Sequence, residues 1–417
     1  MKKALFYLWL SFFIVPLPLI VLFNKAVVSS GSNQFYYDAG IVAYCWWLMS
    51  VMLATRPRWL VQQVSLPKLY LMHALLGVGA IILSFLHRHN LVSMGNLIHW
   101  TGDWAWYLTV FGIIYASLFL SGWFTDHLHW AAQLKIWLTP YVKHQLSIWL
   151  HRLNLVVIGL IWLHVHVIGR INTHLGFMLL FDSYTAITLG WYFWKLLFPR
   201  RTHALVLSNK ALNSTTLQLQ LHLCKPFIPY HAGDFYFLSC DLIKDSHPFS
   251  VTTAPSAGRK LVFTIKMIGD DTKKLARLQH GDLVYLEGPY GHFDQVIQNS
   301  NQAPLVLIGL GAGITPLLSI AQRYQRSRPI KVLWCVHQIE DLYYDQQFME
   351  MATEHFQYKK QIGHFTARQL DYLITPTERQ QALFIIVGPN MGVIKLQHLL
   401  YNQGVSHQQL IDERLTM

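Results

Sequence analysis

The distribution of hydrophobic residues divides the chain into a strongly apolar first half and a mixed second half. Within the first 198 residues, six stretches of about 20 residues are apolar enough to cross a bilayer as helices. They are Ala4–Phe23, Tyr37–Thr55, Leu69–Leu86, Asp103–Gly122, Leu146–Ile168 and Gly176–Phe198. The pattern therefore predicts a membrane-embedded bundle of six transmembrane helices over residues 1–199.

The first of these stretches has a second interpretation. Lys2 and Lys3 precede an apolar run, as basic residues do in a secretory signal. The run is long for the apolar part of a signal, it contains Pro16 and Pro18, and no convincing A-x-A cleavage site follows it. We therefore expect it to be the first transmembrane segment.

The second half begins with residues that alternate between apolar and polar. The alternation extends from about His203 to Val296 and is most regular over Thr215–Leu223 and Lys260–Met267, with Gly, Pro and Asp between the runs. A period of two with turn residues between runs is typical of antiparallel sheets that bury one face. An antiparallel barrel or sandwich is therefore predicted over residues 200–302, and the family resemblance described below implies a β-barrel.

A third pattern follows Pro304. Short apolar runs at Leu305–Ile308, Lys331–Cys335 and Leu383–Val387 are separated by stretches with helical periodicity. Alternating strands and helices indicate a parallel sheet covered by helices. An α/β domain is therefore predicted over residues 303–417.

The basic residues indicate an orientation in the membrane. Hydrophobic residues make up 53% of the chain and charged residues only 13%, which is too apolar for an ordinary soluble protein. One side of the predicted bundle has Lys2, Lys3, Arg56, Arg58, Lys68, Lys135, Lys143, Arg200 and Arg201, and the other has Lys25, Arg88 and Arg170. Because loops rich in Lys and Arg stay in the cytoplasm, the N-terminus and everything after Pro199 are expected there.

Two classes of function are not indicated. The net charge of +12 could suggest nucleic-acid binding, but the basic residues lie beside hydrophobic segments and form no stripe between aromatic platforms. The four cysteines are scattered without a C-x-x-C pair, so neither a disulfide scaffold nor a thiolate metal site is predicted.

Four histidines inside the apolar segments suggest metal chemistry. His73 and His87 are fourteen residues apart, which places them about 21 Å apart along one helix and about 40° apart in azimuth. His151 and His164 are thirteen residues apart, or about 20 Å. Two such helices facing each other could hold two bis-histidine haems one above the other, an arrangement that favours electron transfer.

Two alternatives to this ligand set remain open. Thirteen residues rotate the azimuth by about 220° on an ideal helix, so His151 and His164 require a local distortion or a tilted approach. His166 therefore competes with His164 for the outer position. A single membrane histidine is more often a hydrogen-bonding residue between helices than a ligand, but four in two matched pairs favour ligation.

Together with motifs in the second half, these histidines resemble the ferric reductase and NADPH oxidase superfamily. His73-Ala-Leu-Leu-Gly77 before His87, and Trp149-Leu-His151-Arg152-Leu153 before His164, look like its paired-histidine helices. The motifs of the second half follow in the family's order: His247-Pro248-Phe249-Ser250, Gly269-Asp270-Asp271-Thr272, Glu287-Gly288-Pro289-Tyr290-Gly291, Gly311-Ala312-Gly313-Ile314-Thr315-Pro316 and Gly388-Pro389-Asn390. The set extends over nearly the whole chain and is much more specific than any single motif.

The resemblance implies cofactors and a set of site residues. A ferredoxin-reductase-like module would bind FAD in the barrel domain and NADPH or NADH in the α/β domain. The expected haem ligands are His73 and His151 for the inner haem and His87 and His164 for the outer haem. The expected residues for FAD and nucleotide are His247, Pro248, Phe249, Ser250, Thr253, Lys266, Gly269, Thr272, Gly291, Gly311, Gly313, Thr315, Pro316, Gly388 and Pro389.

The implied function is transmembrane electron transfer from cytosolic NAD(P)H, through FAD and two b-type haems, to an extracytoplasmic acceptor. The short external loops contain no acidic or Met-rich cluster, which favours dioxygen, with superoxide as product, over a ferric or cupric chelate. A non-catalytic membrane haem sensor is a third interpretation. Its support is that Val387 replaces a family cysteine, and that Arg414-Leu415-Thr416-Met417 replaces a terminal aromatic residue that stacks on the flavin.

Overall fold

The computed structural model describes residues 2–27, 31–92, 95–119, 128–138, 144–224, 229–243, 245–255 and 258–415. The chain forms two compact units. The first comprises Met1–Pro57 and Lys68–Phe198, and the second comprises Arg58–Pro67 and Pro199–Met417. A short segment of the apolar half, which contains one helical turn, therefore belongs to the second unit.

The first unit is helical throughout its described parts. The helices are α1 (Lys2–Ile14), α2 (Leu17–Ala26), α3 (Gly31–Ala54), α5 (Leu66–Asn90), α6 (Asn96–Phe119), α7 (His129–Leu138), α8 (His144–Arg152), α9 (Asn154–His166), α10 (Gly169–Asn172) and α11 (Leu175–Leu197), and α4 (Arg58–Val61) is the turn in the second unit. The predicted first and fifth segments are each divided into two helices, at Val15–Pro16 and at Leu153.

Three stretches among the described residues are helical, long and apolar enough to cross a membrane. They are Ala4–Ala26, Asn33–Ala54 and Leu66–Asn90, and they match the first three predicted segments. The other three predicted segments are also helical where they are described, but the six-helix transmembrane bundle stays a prediction. Residues 120–122 of the fourth segment, and Lys143, lie outside the described residues.

Helix α5 has two apolar faces. Leu69, Met72, Leu76 and Ala80 recur every three or four residues and are buried in the first unit. The opposite face exposes large apolar side chains: Leu71, Leu75, Val78 and Ile82. A helix that is apolar all round needs an apolar environment on both sides, so the exposed face fits a lipid-facing position.

The second unit begins with a six-stranded antiparallel sheet in the order β4-β3-β6-β1-β2-β5. The strands are β1 (Thr202–Asn213), β2 (Thr216–Leu223), β3 (Phe235–Ser239), β4 (His247–Ser250), β5 (Lys260–Lys266) and β6 (Leu283–Tyr290), and helices α12 (Asp270–Lys274) and α13 (Phe293–Gln298) flank β6. The leucines of β2 are buried, whereas the polar residues between them are partly or fully exposed. The predicted antiparallel fold is confirmed.

A five-stranded parallel sheet in the order β11-β10-β7-β8-β9 completes the unit. Its elements are β7 (Leu305–Leu310), α14 (Ile314–Tyr324), β8 (Ile330–Val336), α15 (Asp345–Glu350), β9 (Phe356–Ile362), α16 (Ala367–Leu373), α17 (Pro376–Gln381), β10 (Leu383–Pro389), α18 (Asn390–Asn402) and β11 (Leu410–Leu415). Alternate residues of β10 enter two different cores, one on each face of the sheet. Because both faces of the sheet are buried, the sequences of its central strands are continuous apolar runs. The three predicted strands are confirmed.

Candidate cofactor sites

The first histidine pair joins α5 to the end of α8. The ring centroids of His73 and His151 lie 5.8 Å apart. Two imidazole nitrogens bound to opposite sides of one metal ion would lie about 4 Å apart, since each bond is about 2 Å long. Ring centroids lie slightly farther apart than those nitrogens, so the separation fits a shared metal. The Nδ1 atom of His73 lies 2.9 Å from the carbonyl oxygen of Ser50 and 2.7 Å from its hydroxyl.

The second pair lines one cavity. His87 of α5 and His164 of α9 both face a space of about 790 Å³ within the first unit. Nδ1 of His87 donates to the carbonyl oxygen of Tyr36 at 2.9 Å, and Nδ1 of His164 donates to that of Ile98 at 3.0 Å. Because a carbonyl only accepts, each Nδ1 must hold the proton, which leaves Nε2 with a free lone pair for a metal.

Two glycines make room for these imidazoles. A Cβ added at Gly40 would lie 2.5 Å from Nδ1 of His87, and one added at Gly102 would lie 3.1 Å from Cε1 of His164. The first contact is too short for any side chain, and the second is tight. The helices that face the two histidines are therefore shaped around their rings.

His166 is held differently from the four paired histidines. Its Nδ1 donates to the carbonyl oxygen of Trp162 at 2.8 Å, and its Nε2 lies 3.3 Å from a carboxylate oxygen of Asp182. Both ring nitrogens therefore have protein partners, and His166 is not among the residues that line the cavity.

The glycine-rich loop of the second unit follows β7, as the sequence predicts. Gly311–Gly313 forms a 3₁₀ turn, and α14 begins at Ile314 with Gly313 as its N-cap residue. Thr315 and Pro316 thus lie inside the first turn, each two positions later than the N-cap and first helical positions that their residue types suggest. The Thr315 hydroxyl donates to the Ala312 carbonyl at 3.0 Å.

Close backbone contacts bring this loop against the end of β10. A Cβ added at Gly313 would lie 2.0 Å from the carbonyl oxygen of Val387, and one added at Gly388 would lie 2.5 Å from the Cβ of Leu310. Trp334, fully buried in β8, donates its indole N–H to the carbonyl oxygen of Gly311 at 3.0 Å. The predicted residues Gly311, Gly313 and Gly388 therefore meet at the carboxyl edge of the parallel sheet, with exposed Pro389 beside them.

The predicted flavin residues of β4 lie beside the Gly269–Thr272 segment. Nε2 of His247 lies 3.2 Å from a carboxylate oxygen of Asp271, and β4 pairs with β3 so that Ser250 is opposite Phe235. Pro248 and Phe249 lie between these two positions in the same strand. Thr272 exchanges hydrogen bonds with the Gly269 backbone, which caps the short helix α12.

The remaining predicted residues of the barrel contact neighbouring elements. The carbonyl oxygen of Thr253 accepts from the Ser319 hydroxyl of α14 at 2.9 Å, which links the barrel to the α/β part. Lys266 pairs with Asp341 at 3.5 Å. Gly291 packs so closely against Asp234 that a Cβ would lie 2.1 Å from its carboxylate.

A partly buried acidic group at the edge of the parallel sheet was not identified from the sequence. Glu413 of β11 lies opposite Val387 of β10, directly before the Gly388 turn. Burial raises the pKa of its carboxyl to about 7, and the negative charges of Asp234 and Asp412 act in the same direction. No sequence motif pointed to Glu413, because the burial that chiefly raises its pKa arises only in the folded chain, and Asp234, whose charge adds to the effect, is remote in sequence.

Stability should therefore depend on pH through Glu413. Its pKa is near 4.5 when unfolded and about 7 when folded, so unfolding becomes easier as pH rises from about 4.5 to 7. At about 1.4 kcal/mol per pKa unit, the loss has a ceiling of about 3 kcal/mol. We expect Glu413→Gln to flatten this part of the profile, measured by denaturant unfolding at several pH values. An unchanged slope would contradict the assignment.

One protein family matches part of the chain. Residues 202–294 match an FAD-binding domain family. The matched range contains the antiparallel sheet, the His247–Ser250 strand and the Gly269–Thr272 segment.

Several curated proteins are similar over shorter ranges. The reductase component of propane 2-monooxygenase from Mycolicibacterium goodii is 29% identical over 162 residues, 36% of this chain and 44% of that protein. Respiratory burst oxidase homolog protein A from Arabidopsis thaliana is 30% identical over 131 residues, which cover 24% of this chain and 14% of that protein. Mouse NADPH oxidase 1 is 29% identical over 143 residues, which cover 32% of this chain and 24% of that protein. The chain thus spans less than half the length of each of these relatives.

Among solved structures, a ferredoxin NADP+ reductase from Neisseria gonorrhoeae with bound FAD and NADP aligns with a TM-score of 0.46 at 18% identity. The alignment covers 52% of this chain and 98% of that one. The second unit combines a six-stranded antiparallel sheet with a five-stranded parallel sheet. The family match indicates an FAD-binding domain, and part of the chain is similar to NADPH oxidases.

Proposed function

We propose that this NADPH-oxidase-like flavoprotein moves electrons from cytosolic NAD(P)H, via FAD and two b-type haems, to an extracytoplasmic acceptor. The observation that supports the haem pathway is the arrangement of two histidine pairs between facing helices. One pair lies 5.8 Å apart, and the other shares a cavity of about 790 Å³. The proposal also includes six transmembrane helices, with the N-terminus and the reductase module in the cytoplasm.

The residues of both pairs fit haem iron. His73, His87 and His164 each hold Nδ1 against a backbone carbonyl, so Nε2 is the nitrogen available to a metal. We assign His73 and His151 to the inner haem and His87 and His164 to the outer haem. His166 is excluded from this set because Trp162 and Asp182 contact both of its ring nitrogens.

The module would hold its two further cofactors at the two sheets. When bound, FAD would accept a hydride and release single electrons that haem iron can take. The FAD residues would be His247, Pro248, Phe249, Ser250, Thr253, Lys266, Gly269, Thr272 and Gly291. The nucleotide residues would be Gly311, Gly313, Thr315, Pro316, Gly388 and Pro389. The carbonyl contact at Gly313 orients the loop so that its backbone N–H groups and the start of α14 can receive phosphate.

The rim of the outer cavity favours dioxygen as acceptor. Arg88 bonds the Asp103 carboxylate through Nε at 2.9 Å, and His99 contacts the same carboxylate at 2.7 Å. The Arg88 charge is therefore already paired and is not available to an anionic metal chelate, whereas a small neutral molecule needs no counter-charge. Cytochrome c reduction that superoxide dismutase abolishes would support dioxygen. Dismutase-insensitive reduction of a ferric chelate would support the alternative, a chelate reductase.

The flavin site is testable at Ser250. Its hydroxyl is the expected donor to the flavin, and one such hydrogen bond contributes about 1 kcal/mol. We expect Ser250→Ala to slow flavin reduction by the nucleotide about fivefold to tenfold in stopped-flow absorbance while the haem content stays at the wild-type level. Ser327→Ala, which removes a serine hydroxyl that bonds the Tyr324 carbonyl away from the proposed flavin residues, is the control. Unchanged flavin reduction in Ser250→Ala would remove Ser250 from the site.

A further inference from the structure

The break between α8 and α9 separates the two histidines of the fifth predicted segment. Helix α8 ends at Arg152, and α9 begins at Asn154. At the break, the Leu153 N–H donates to the Leu150 carbonyl at 3.1 Å, and the Val156 N–H donates to the Leu153 carbonyl at 2.9 Å. These bonds span three residues instead of four, although the Leu153 carbonyl also accepts from the Val157 N–H at 3.1 Å, so the tighter winding is confined to about one turn at the break.

Tighter winding changes the direction in which the histidines point. A 3₁₀ turn rotates by about 120° per residue, compared with about 100° in an α-helix. One such turn adds about 60° to the ideal value of about 220°, so the azimuths of His151 and His164 differ by about 80° instead of about 140°. His151 then faces His73, while His164 shares the cavity with His87. The break is therefore part of the arrangement that presents both rings to α5.

Asn154 bridges this break with its side chain. Its Nδ2 donates to the carbonyl oxygen of His151 at 2.7 Å and lies 3.4 Å from Nδ1 of the same histidine. Gly112 of α6 faces the amide, where a Cβ would lie 3.2 Å from Oδ1. Trp47 of α3 donates to the Asn154 carbonyl at 3.4 Å. Contacts from three helices therefore fix the Asn154 position.

The side-chain amide of Asn154 also lowers the stability of the fold at this position. Oδ1 of Asn154 is buried and has no hydrogen-bond partner among the described residues. Burying an acceptor without a partner costs its desolvation free energy, so an apolar residue of similar size would suit the fold better. A polar residue that the fold alone does not favour points to a role in the site.

We propose that Asn154 is a positioning residue for the inner haem ligand. By holding the His151 carbonyl, its amide maintains the break and directs the His151 imidazole at His73. The inference rests on the proposed function, because it presupposes a haem between His73 and His151. It adds a residue that determines ligand direction without contacting the iron.

The test compares two asparagines that make the same bond. Asn172 also donates through Nδ2 to a histidine carbonyl, that of His166, at 2.9 Å. In the full-length protein purified in detergent, Asn154→Leu should reduce the haem-to-protein ratio from two towards one, or shift one of two low-spin ferric signals in the electron paramagnetic resonance spectrum. Asn172→Leu should leave the ratio and both signals unchanged.

A hydroxyl variant separates the hydrogen bond from general packing. A serine hydroxyl can donate to a carbonyl three residues back, so Asn154→Ser should keep both haem signals. Two unaltered signals and full haem in Asn154→Leu would overturn the proposal. If Asn154→Leu does not accumulate, Asn154→Ser decides the question: a stable Asn154→Ser protein with an altered signal from the inner haem would overturn the proposal. A wild-type protein without haem would instead refute the proposed function itself.

Discussion

Replacing His164 with leucine is expected to reduce the haem content from two to one per chain. The His164 imidazole faces the cavity shared with His87 and has its Nδ1 fixed by the Ile98 carbonyl, so Nε2 is the ligand atom. Leucine is of similar size and apolar, but it cannot coordinate iron. Without this nitrogen the outer haem would lose one of its two axial bonds.

His166→Leu is the matched control, since it removes an imidazole two residues away on the same helix. Because Trp162 and Asp182 contact both of its nitrogens, we expect this variant to keep both haems. The pyridine haemochrome assay on purified protein gives the haem-to-protein ratio for each variant. Full haem in His164→Leu together with loss in His166→Leu would assign the outer ligand to His166.

Replacing Gly313 with alanine is expected to have the second large effect, a loss of nucleotide binding by at least about a hundredfold. The new Cβ would lie 2.0 Å from the carbonyl oxygen of Val387 and 2.5 Å from its carbon. Both atoms are backbone, so no side-chain rotation can relieve the overlap, and the loop must move away from β10. The N–H groups at the start of α14 would then lose their position around the phosphates.

Gly311→Ala provides the comparison within the same loop. A Cβ there meets nothing within 4 Å, but the residue has a φ of +57°. The left-handed conformation costs a residue with a Cβ about 1–2 kcal/mol, which predicts that Gly311→Ala lowers the affinity for the nucleotide about tenfold. Isothermal titration with NADP+ and NAD+ measures both variants. Equal losses in the two variants would contradict the role of the close contact at Gly313.

The sequence predicted the helices of the first unit better than their interruptions. Apolar runs were enough to locate α3, α5 and α11, because length and composition decide whether a helix can span a bilayer. No proline or glycine marks the break at Leu153 in the sequence, although His151, Arg152 and Asn154 make the segment locally polar. Only the azimuth of about 220° between His151 and His164 indicated that a distortion was required.

The strands that the sequence missed are at the edges of the parallel sheet. β9 and β11 each have one neighbour and contain several charged or polar residues, such as Lys359, Lys360, Asp412 and Glu413. Edge strands tolerate these residues because one side is not covered by another strand. An apolar run therefore identified the central strands β7, β8 and β10 but could not identify β9 or β11.

Motifs located the candidate cofactor residues, but partners distant in sequence determine their environment. The Gly311–Gly313 turn could be placed from the apolar strand before it, whereas the contact with Val387 involves a residue 74 positions after Gly313. The raised pKa of Glu413 likewise depends on the fold, because burial is its main cause and the charge of Asp234, which is distant in sequence, adds to it. Such contacts require the tertiary fold and leave no local signature.

The most direct test of the account is the visible spectrum of the purified, detergent-solubilised protein, supplied with FAD, before and after anaerobic addition of NADPH or NADH. We expect two low-spin b-type haems per chain that become reduced after nucleotide addition. Admission of oxygen should then reoxidise them. A protein that shows no haem bands after expression with adequate haem, or haems that dithionite reduces and neither nucleotide does, would contradict the proposed electron pathway.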